Sequence, residues 1–550
     1  MTDPYDSENF SDFDDFAQNF RSEAPENFNF AFDCIDARAR LMPDKTAMVW
    51  CNDKGDEARY SFAELSAHSD AAARFFAASG IGRGDAVLLI LRRRAQFWFA
   101  ALGLMKLGAV VIPSTHYLLT EDIVYRCNAA SVAAVVATDD DALLAAVEQS
   151  LPQSPTVRLL AKLGGQRDGW LSFDEGLAAF ARGETPLRVT RNEDMMLLYF
   201  TSGTTGLPKM VAHNCLYPLG HIATARHWHA LHADSLHLTL ADTGWAKAAW
   251  GKLFGQWLCG AAIFVYDQDR LDPHRLLRAL SRYKVTSFCA PPTVYRVLLT
   301  ANLAAYDLRA LEQATSAGEP LTEDISDRFK QQTGLSIREA YGQTETTPLV
   351  MTAIHTAPRA GSIGKCNPAY DILFLDAEGN EVPEGAEGEI CVRAGRGSIG
   401  LFMGYYRDEA ATERVWRGGV YHTGDMAWRD ADGYVYFIGR ADDIIKSAGY
   451  RIGPYEVESV LERHPAVLEC AVTGAPHPLR GQIVKASVVL ADTYAPSDAL
   501  KKELRAFMKA SAAAYKIPRA IEFVDELPKT ISGKVRRVAV RANDRGDRTE

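Results

Sequence analysis

The chain holds 550 residues, 47% of them apolar and 24% charged, the mix of a soluble globular protein too long for one core. Its 60 basic and 70 acidic residues leave a net charge of −10, which excludes a general attraction to nucleic acid or anionic membrane, so an anionic substrate must meet a local basic site. No apolar run reaches the length of a membrane span, and the acidic start and residues 544–550 carry no leader, lipidation or peroxisomal signal. The nine cysteines form no Cys-x-x-Cys pair, which suits thiols in a reducing compartment, and a cytoplasmic location is expected.

Residues 1–26 are polar and acidic, and Phe10, Phe13, Phe16 and Phe20 recur at helical spacing, which predicts a helix packed by one face on the body of the protein. From residue 28 to about 138, helices alternate with short β-rich runs. Residues 87–91 read as a strand, 95–107 as a helix and 109–113 as the next strand, a βαβ region with a parallel sheet. The basic run Arg92-Arg93-Arg94 reads as a solvated strand end without a role. Residues 195–200 form a buried strand, and a second βαβ region runs through 261–266 and 285–290. Between 362 and 439, turns such as Asp376-Ala-Glu-Gly-Asn380 and Asp430-Ala-Asp-Gly433 predict an antiparallel barrel or sandwich. Strands near 468–473 and 484–490, a helix over about 497–513 and a strand at 521–524 then make a separate α+β unit of about a hundred residues. The expected division is an acidic extension at 1–26, a large α/β domain at 27–441 with two βαβ subdomains and a β-barrel-like subdomain, and a small α+β domain at 442–550.

The strand at 195–200 empties into Thr201-Ser-Gly-Thr-Thr-Gly-Leu-Pro-Lys209. Hydroxyls of Thr201, Ser202, Thr204 and Thr205 can donate hydrogen bonds, Gly203 and Gly206 let backbone N–H groups approach an anion, and Lys209 adds charge. Met210 stands where a P-loop needs Ser or Thr on magnesium, so the metal must be held elsewhere. Two more loops end elements of the α/β core, where nucleotides tend to bind: Gly318-Glu-Pro320 and Tyr341-Gly-Gln-Thr-Glu345. Tyr341 offers a flat face to adenine, Thr344 a hydroxyl to an oxyanion, and Glu345 a hard oxygen to Mg2+. In Tyr421-His-Thr-Gly-Asp425 the carboxylate can accept both ribose hydroxyls, and Arg440 can bridge ribose and phosphate. Taken singly, each is equally a capped turn or a surface ion pair.

Their order carries more. Thr201 to Lys209 resembles the phosphate loop of the adenylate-forming superfamily, which includes acyl-CoA synthetases, luciferases and peptide-synthetase adenylation domains. Tyr341-Gly-Gln-Thr-Glu345, Asp425, Arg440 and Pro528-Lys-Thr-Ile-Ser-Gly-Lys534 follow in the superfamily's sequence. The resemblance runs from about residue 28 to 537, and stretches 242–250, 290–296, 316–320 and 449–457 are similar to medium-chain acyl-CoA synthetases.

This resemblance implies ATP, Mg2+ and coenzyme A as ligands. ATP would contact Thr201, Ser202, Gly203, Thr204, Thr205, Gly206, Lys209, Gly318, Glu319, Pro320, Glu339, Ala340, Tyr341, Gly342, Gln343, Thr344, Asp425, Arg440 and Arg451. Lys534 would be the catalytic residue, with Thr344 and Glu345 beside the reacting phosphate and Glu345 on the metal. CoA would follow Ala448, Gly449 and Tyr450, with Arg480, Lys509, Ile517, Pro518 and Arg519 along its length. Trp245 would wall the acyl pocket, and the small mobile domain would turn about Asp442. The implied reaction joins a medium-chain, branched or aromatic carboxylic acid to AMP with release of pyrophosphate, then passes the acyl group to CoA. An adenylation enzyme that loads an acid onto a separate carrier protein is the alternative. A homodimer is compatible with the sequence, and a lysine acetyltransferase acting on Lys534 is a candidate partner.

Overall fold

Runs that are apolar on both faces, such as Val132–Ala137, can only lie inside a sheet covered on both sides, which is the habit of parallel strands. The computed structural model describes residues 10–184, 186–201, 207–319, 321–448, 450–529 and 535–545. Two large sheets dominate. One has eight strands in the order Gly404–Tyr405, Lys209–Asn214, Met195–Thr201, Val110–Pro113, Ala86–Ile90, Val132–Ala137, Leu159–Lys162 and Leu171–Ser172. The other has nine: Lys365–Cys366, Val350–Met351, Ile337–Tyr341, Gln313–Ala317, Ser287–Cys289, Leu236–Thr239, Ala262–Asp267, Thr46–Asn52 and Glu57–Ser61.

The first expected βαβ unit stands as Ala86–Ile90, helix Gln96–Leu107 and Val110–Pro113, its two strands parallel neighbours. In the second, Ala262–Asp267 and Ser287–Cys289 flank Leu236–Thr239, each parallel to it. Helix Gln96–Leu107 lies close against Phe62–Ala78, because a Cβ on Gly103 would stand 2.7 Å from the Ala72 Cβ. Below it the fully buried Lys106 ammonium is held by Asp36 at 2.8 Å and Asp70 at 2.5 Å.

The phenylalanine spacing near the start has the predicted outcome. Helix Phe13–Asn19 is capped by Asp12, whose carboxylate accepts from Asp15 N–H. Phe10, Phe16 and Phe20 turn inward and surround His227, with ring centroids 5.3, 4.1 and 5.9 Å away. His213, His221, His229 and His237 are buried as well. His237 sits between Ser287 and Thr239 hydroxyls, and His229 meets the Thr315 hydroxyl.

Arg92-Arg93-Arg94 is not a solvated strand end. The three guanidiniums are mostly buried and reach across from the eight-stranded sheet to carboxylates of the nine-stranded one: Arg92 to Asp269 at 2.6 Å, Arg94 to Asp267 at 3.0 Å, and Arg93 to Asp242 at 3.6 Å. Here Gly244 approaches so closely that a Cβ would stand 2.3 Å from the Thr115 amide nitrogen. The buried Lys252 amine donates to Ala241 O beside this cluster, and burial brings its pKa down to about 7. The strand-end loops of both sheets therefore meet on one side of the molecule.

Residues 371–440 form a third, antiparallel sheet from Asp371–Leu375, Glu387–Arg393, Trp416–Arg417, Val420–Arg429 and Val435–Arg440. Two of its expected turns are locked by Asp376 and Asp430, whose Oδ1 atoms accept from backbone N–H groups two and four residues on. A fourth sheet, Tyr450–Ile452, Ile445–Ser447, Gly481–Leu490 and Val467–His477 with Ala520–Phe523 parallel to Gly481–Leu490, packs helices Pro454–Leu461 and Asp498–Ser511 around a core of its own. The architecture is thus a large α/β N-terminal region with a smaller α+β C-terminal domain. Helix Pro454–Leu461 has no counterpart in the sequence reading; Pro454 opens it at the position where a missing N–H costs nothing. No described helix is long and apolar enough to cross a membrane, and the nine cysteines stand as thiols.

Candidate nucleotide and acyl site

Strand Met195–Thr201 turns back as Lys209–Asn214, so that Thr201 and Lys209 are cross-strand partners at the mouth of the phosphate loop. Ser202, Gly203, Thr204, Thr205 and Gly206 lie outside the described residues, as do Pro320, Gly449 and Lys534. The Lys209 ammonium lies 4.6 Å from the centroid of the Tyr405 ring, and the Tyr405 hydroxyl donates to Glu345 Oε1 at 2.9 Å. One aromatic residue therefore joins the phosphate-loop cation to the expected metal-binding carboxylate. Burial pushes the Glu345 carboxyl up, and the Tyr405 hydrogen bond opposes this.

Asp425 is the centre of the second group. It is buried, and its Oδ2 accepts from the Tyr341 hydroxyl at 2.6 Å and from Gln343 Nε2 at 2.5 Å. Gln343 also donates to Thr423 O, and its own oxygen accepts from the Tyr421 hydroxyl at 2.6 Å. Arg440 is the cross-strand partner of Asp425, with Nη1 4.0 Å from Oδ1, 2.9 Å from Thr423 O, and Nε 3.3 Å from Asp442. Tyr341 and Gln343 come from the nine-stranded sheet, Asp425 and Arg440 from the antiparallel one, so the group exists only where the two sheets meet. Gly424, at φ +71, leaves no room for a side chain against the Arg440 guanidinium, where a Cβ would stand 3.0 Å away.

The remaining expected residues line the same side. Gly318, at φ +95, and Glu319 follow strand Gln313–Ala317, whose last carbonyl accepts from Lys247 Nζ at 2.5 Å. Glu339 receives Leu321 N–H at 2.9 Å, and burial raises its carboxyl to about 8. Ala340 is buried, and Thr344 offers its carbonyl to His213 Nε2 at 2.9 Å. Trp245 is half-buried just before helix Lys247–Lys252, while Trp250 within that helix packs on Gly342, where a Cβ would lie 2.8 Å from the indole. Sequence reading passed over Tyr405, Tyr421, His213 and Trp250; the aromatic pair Tyr405-Tyr406 after Gly404 was the available signal for the first.

On the small domain, Ala448, at φ +49, donates its N–H to Arg480 O, and Tyr450 stacks on Tyr515 with ring centroids 4.4 Å apart. Ile517 is half-buried, Pro518 buried and Arg519 exposed just before strand Ala520–Phe523, while Arg451 is exposed on strand Tyr450–Ile452 and Lys509 is exposed in the last turn of helix Asp498–Ser511. Asp442 is exposed and pairs with Arg440 at 3.3 Å, whereas Asp443 pairs with Arg541 at 2.7 Å. The segment 530–534 is bounded by an antiparallel bridge between Lys529 and Val535, and Arg537 then pairs with the buried Glu458 at 2.6 Å.

The family model "AMP-binding enzyme" matches residues 35–406, and "AMP-binding enzyme C-terminal domain" matches 456–534. The human protein named acyl-coenzyme A synthetase ACSM3, mitochondrial, is 39% identical over 550 residues, covering 98% of this chain and 93% of that protein. Among solved structures, the anthranilate CoA ligase AuaEII in complex with anthranoyl-AMP superposes with a TM-score of 0.86 at 28% identity, over 96% of this chain and 99% of that one. A benzoate CoA ligase from Burkholderia xenovorans LB400 follows at a TM-score of 0.81 and 28% identity, over 94% and 100%. A match across more than half of the chain and a relative alike over nearly its whole length lead to one statement: this chain belongs to the AMP-binding enzyme family.

Proposed function

We propose that this enzyme activates a medium-chain, branched or aromatic carboxylic acid and that its nucleotide is held by the Tyr341–Asp425–Gln343 group. The chain is an AMP-forming acid–CoA ligase. A carboxylate oxygen attacks the α-phosphorus of ATP to give acyl-AMP and pyrophosphate, and the CoA sulfur then displaces AMP to give the thioester. The observation that carries the assignment is Asp425, a buried carboxylate fixed by two donors and set opposite Arg440. In this reading Asp425 would accept the ribose hydroxyls, and Arg440 would bridge ribose and phosphate.

In this reading Thr201, Lys209 and their loop hold the β- and γ-phosphates, Gly318 to Pro320 and Glu339 to Gly342 enclose the adenine, and Trp245 with Trp250 walls the acid. Glu345 fits Mg2+, since Tyr405 engages one carboxylate oxygen and leaves the other to the cation. When bound, Mg2+ supplies charge neutralisation of the phosphates. Lys534 approaches the α-phosphate from the small domain, and acetylating it would remove that charge and stop adenylation. The boundary between domains falls at Asp442, and CoA runs along Ala448 to Tyr450 toward Arg480, Lys509 and Arg519. Reduced thiols support a cytoplasmic site of action, and a medium-chain acid would place the enzyme in fatty acid metabolism.

Pyrophosphate release measured with acids from acetate to dodecanoate, and with benzoate, each with and without CoA, tests the reading. Turnover that peaks at intermediate chains or at benzoate, with acyl-CoA as product, is expected. Acid-dependent pyrophosphate release that yields no acyl-CoA, but acylates a phosphopantetheine carrier protein, would replace it with the carrier-loading alternative.

A further inference from the structure

On the antiparallel sheet lies a cluster that none of these roles uses. Cys391 and His422 are direct cross-strand partners on Glu387–Arg393 and Val420–Arg429, and Glu389 precedes Cys391 by two residues. The Glu389 carboxylate, the Cys391 sulfur and a His422 ring nitrogen all lie within 4.8 Å of one another. His422 Nδ1 is 2.9 Å from Glu389 Oε2 and 3.4 Å from Cys391 Sγ. Cys391 is fully buried, whereas the His422 and Glu389 side chains retain 14% and 19% of their exposure, so the cluster opens to solvent on one side.

We propose that Glu389, Cys391 and His422 form a binding site for a divalent transition cation of the Zn2+ class. One thiolate, one imidazole and one carboxylate are the donors that Zn2+ accepts, whereas Mg2+ and Ca2+ seek oxygen alone. Two hydrogens, on Nδ1 and Sγ, face a single carboxylate in the metal-free cluster, and a cation replaces both. The imidazole moves its proton to Nε2 and gives the Nδ1 lone pair, the thiol releases its proton to water, and Zn–N, Zn–S and Zn–O bonds form. Thiolate and carboxylate then balance the divalent charge, which suits a mostly buried place. A zinc ligand must be the thiolate, so binding releases the Cys391 proton. The carboxylate is pre-aimed, because Glu389 Oε1 accepts Gly424 N–H at 2.8 Å and leaves Oε2 for the metal. Two paired strands carry all three donors, a rigid frame, and the fourth position faces solvent for a water.

The test uses the full chain, freed of metal with a chelator and then titrated with Zn2+, or with Co2+ as a coloured probe. One Zn2+ per chain in competition with a chromophoric chelator, one proton released per metal, and a thiolate-to-cobalt charge-transfer band are expected. Cys391→Ser abolishes the band although the other cysteines remain, and His422→Gln weakens Zn2+ binding by more than roughly tenfold. His422→Gln also carries the test should Cys391→Ser fail to fold, with far-UV circular dichroism and melting temperature as the folding check. Absence of stoichiometric Zn2+ binding, or a cobalt band and affinity unchanged in both variants, overturns the proposal.

Discussion

The two halves of the site are built on opposite plans. At the candidate nucleotide loops several of the described polar side chains are already engaged with one another: Tyr341, Gln343 and Tyr421 close a hydrogen-bonded chain on a buried Asp425, and Tyr405 ties Lys209 to Glu345. On the small domain several of the residues expected at CoA are displayed instead, with Tyr450 half exposed and Lys509 and Arg519 on the surface. A preorganised dipole array stabilises charge without reorganising, whereas exposed cations suit a long flexible ligand that arrives and leaves. On the proposed assignment, the difference teaches that the first step would lean on geometry fixed in the fold and the second on an exposed surface.

Four substitutions probe that contrast. Lys534→Ala should cut adenylation by roughly a hundredfold to a thousandfold while leaving thioester formation from supplied acyl-AMP; equal loss of both half-reactions would dissolve the division of labour. Gly449→Leu should do the reverse, blocking the pantetheine path at a cost of roughly a hundredfold, and normal acyl-CoA output would sink that role. Asp425→Ala removes the acceptor of Tyr341 and Gln343 as well as that of the ribose. Charged hydrogen bonds are worth about 1.5–3 kcal/mol, so KM for ATP should rise roughly tenfold to a hundredfold with KM for CoA unmoved; a parallel rise in both would mean general unfolding. Tyr405→Phe should have the smallest effect, roughly fivefold for one lost hydrogen bond. That bond favours the charged Glu345, so its loss raises the carboxyl further and should weaken the Mg2+ requirement curve more at pH 7 than at pH 8.5. A pH-independent change would detach Glu345 from the metal.

Much of this was legible because it is local. The all-apolar runs at 87–91 and 109–113 left no choice but a covered parallel sheet, and the hydroxyl-rich stretch before Lys209 marks the proposed anion site within nine residues. What escaped was pairing at a distance. Arg92 and Arg94 looked solvated because Asp269 and Asp267 stand more than 170 residues away. Tyr405 and Glu345 are 60 residues apart and meet only when Gly404–Tyr405 pairs with Lys209–Asn214. Trp245 and Trp250 are equivalent by composition, and the short helix between decides which indole turns onto Gly342. Helix Pro454–Leu461 was hidden by the glycine-rich approach to it, and with it went Glu458, whose partner Arg537 lies beyond the loop of Lys534.

The buried histidines set a limit on the conditions in which any of this can operate. Burial holds His213, His221, His227 and His237 at about 3, and His229 well below its ordinary value, so the native chain carries five neutral imidazoles. An unfolded chain would protonate them near 6.5, so their contribution is intact above that pH and erodes as the pH falls toward 3. Each costs about 1.4 kcal/mol per pH unit in that window, against a net stability on the order of 5–15 kcal/mol. The buried carboxyls work in the opposite sense: Glu339 is raised to about 8 and Glu462 to about 7, and Glu345 and Asp36 are raised as well. Strong acid, below the range in which the raised carboxyls compensate, is therefore where the five imidazoles should charge and the packing around them fail, a fuse wired into the core.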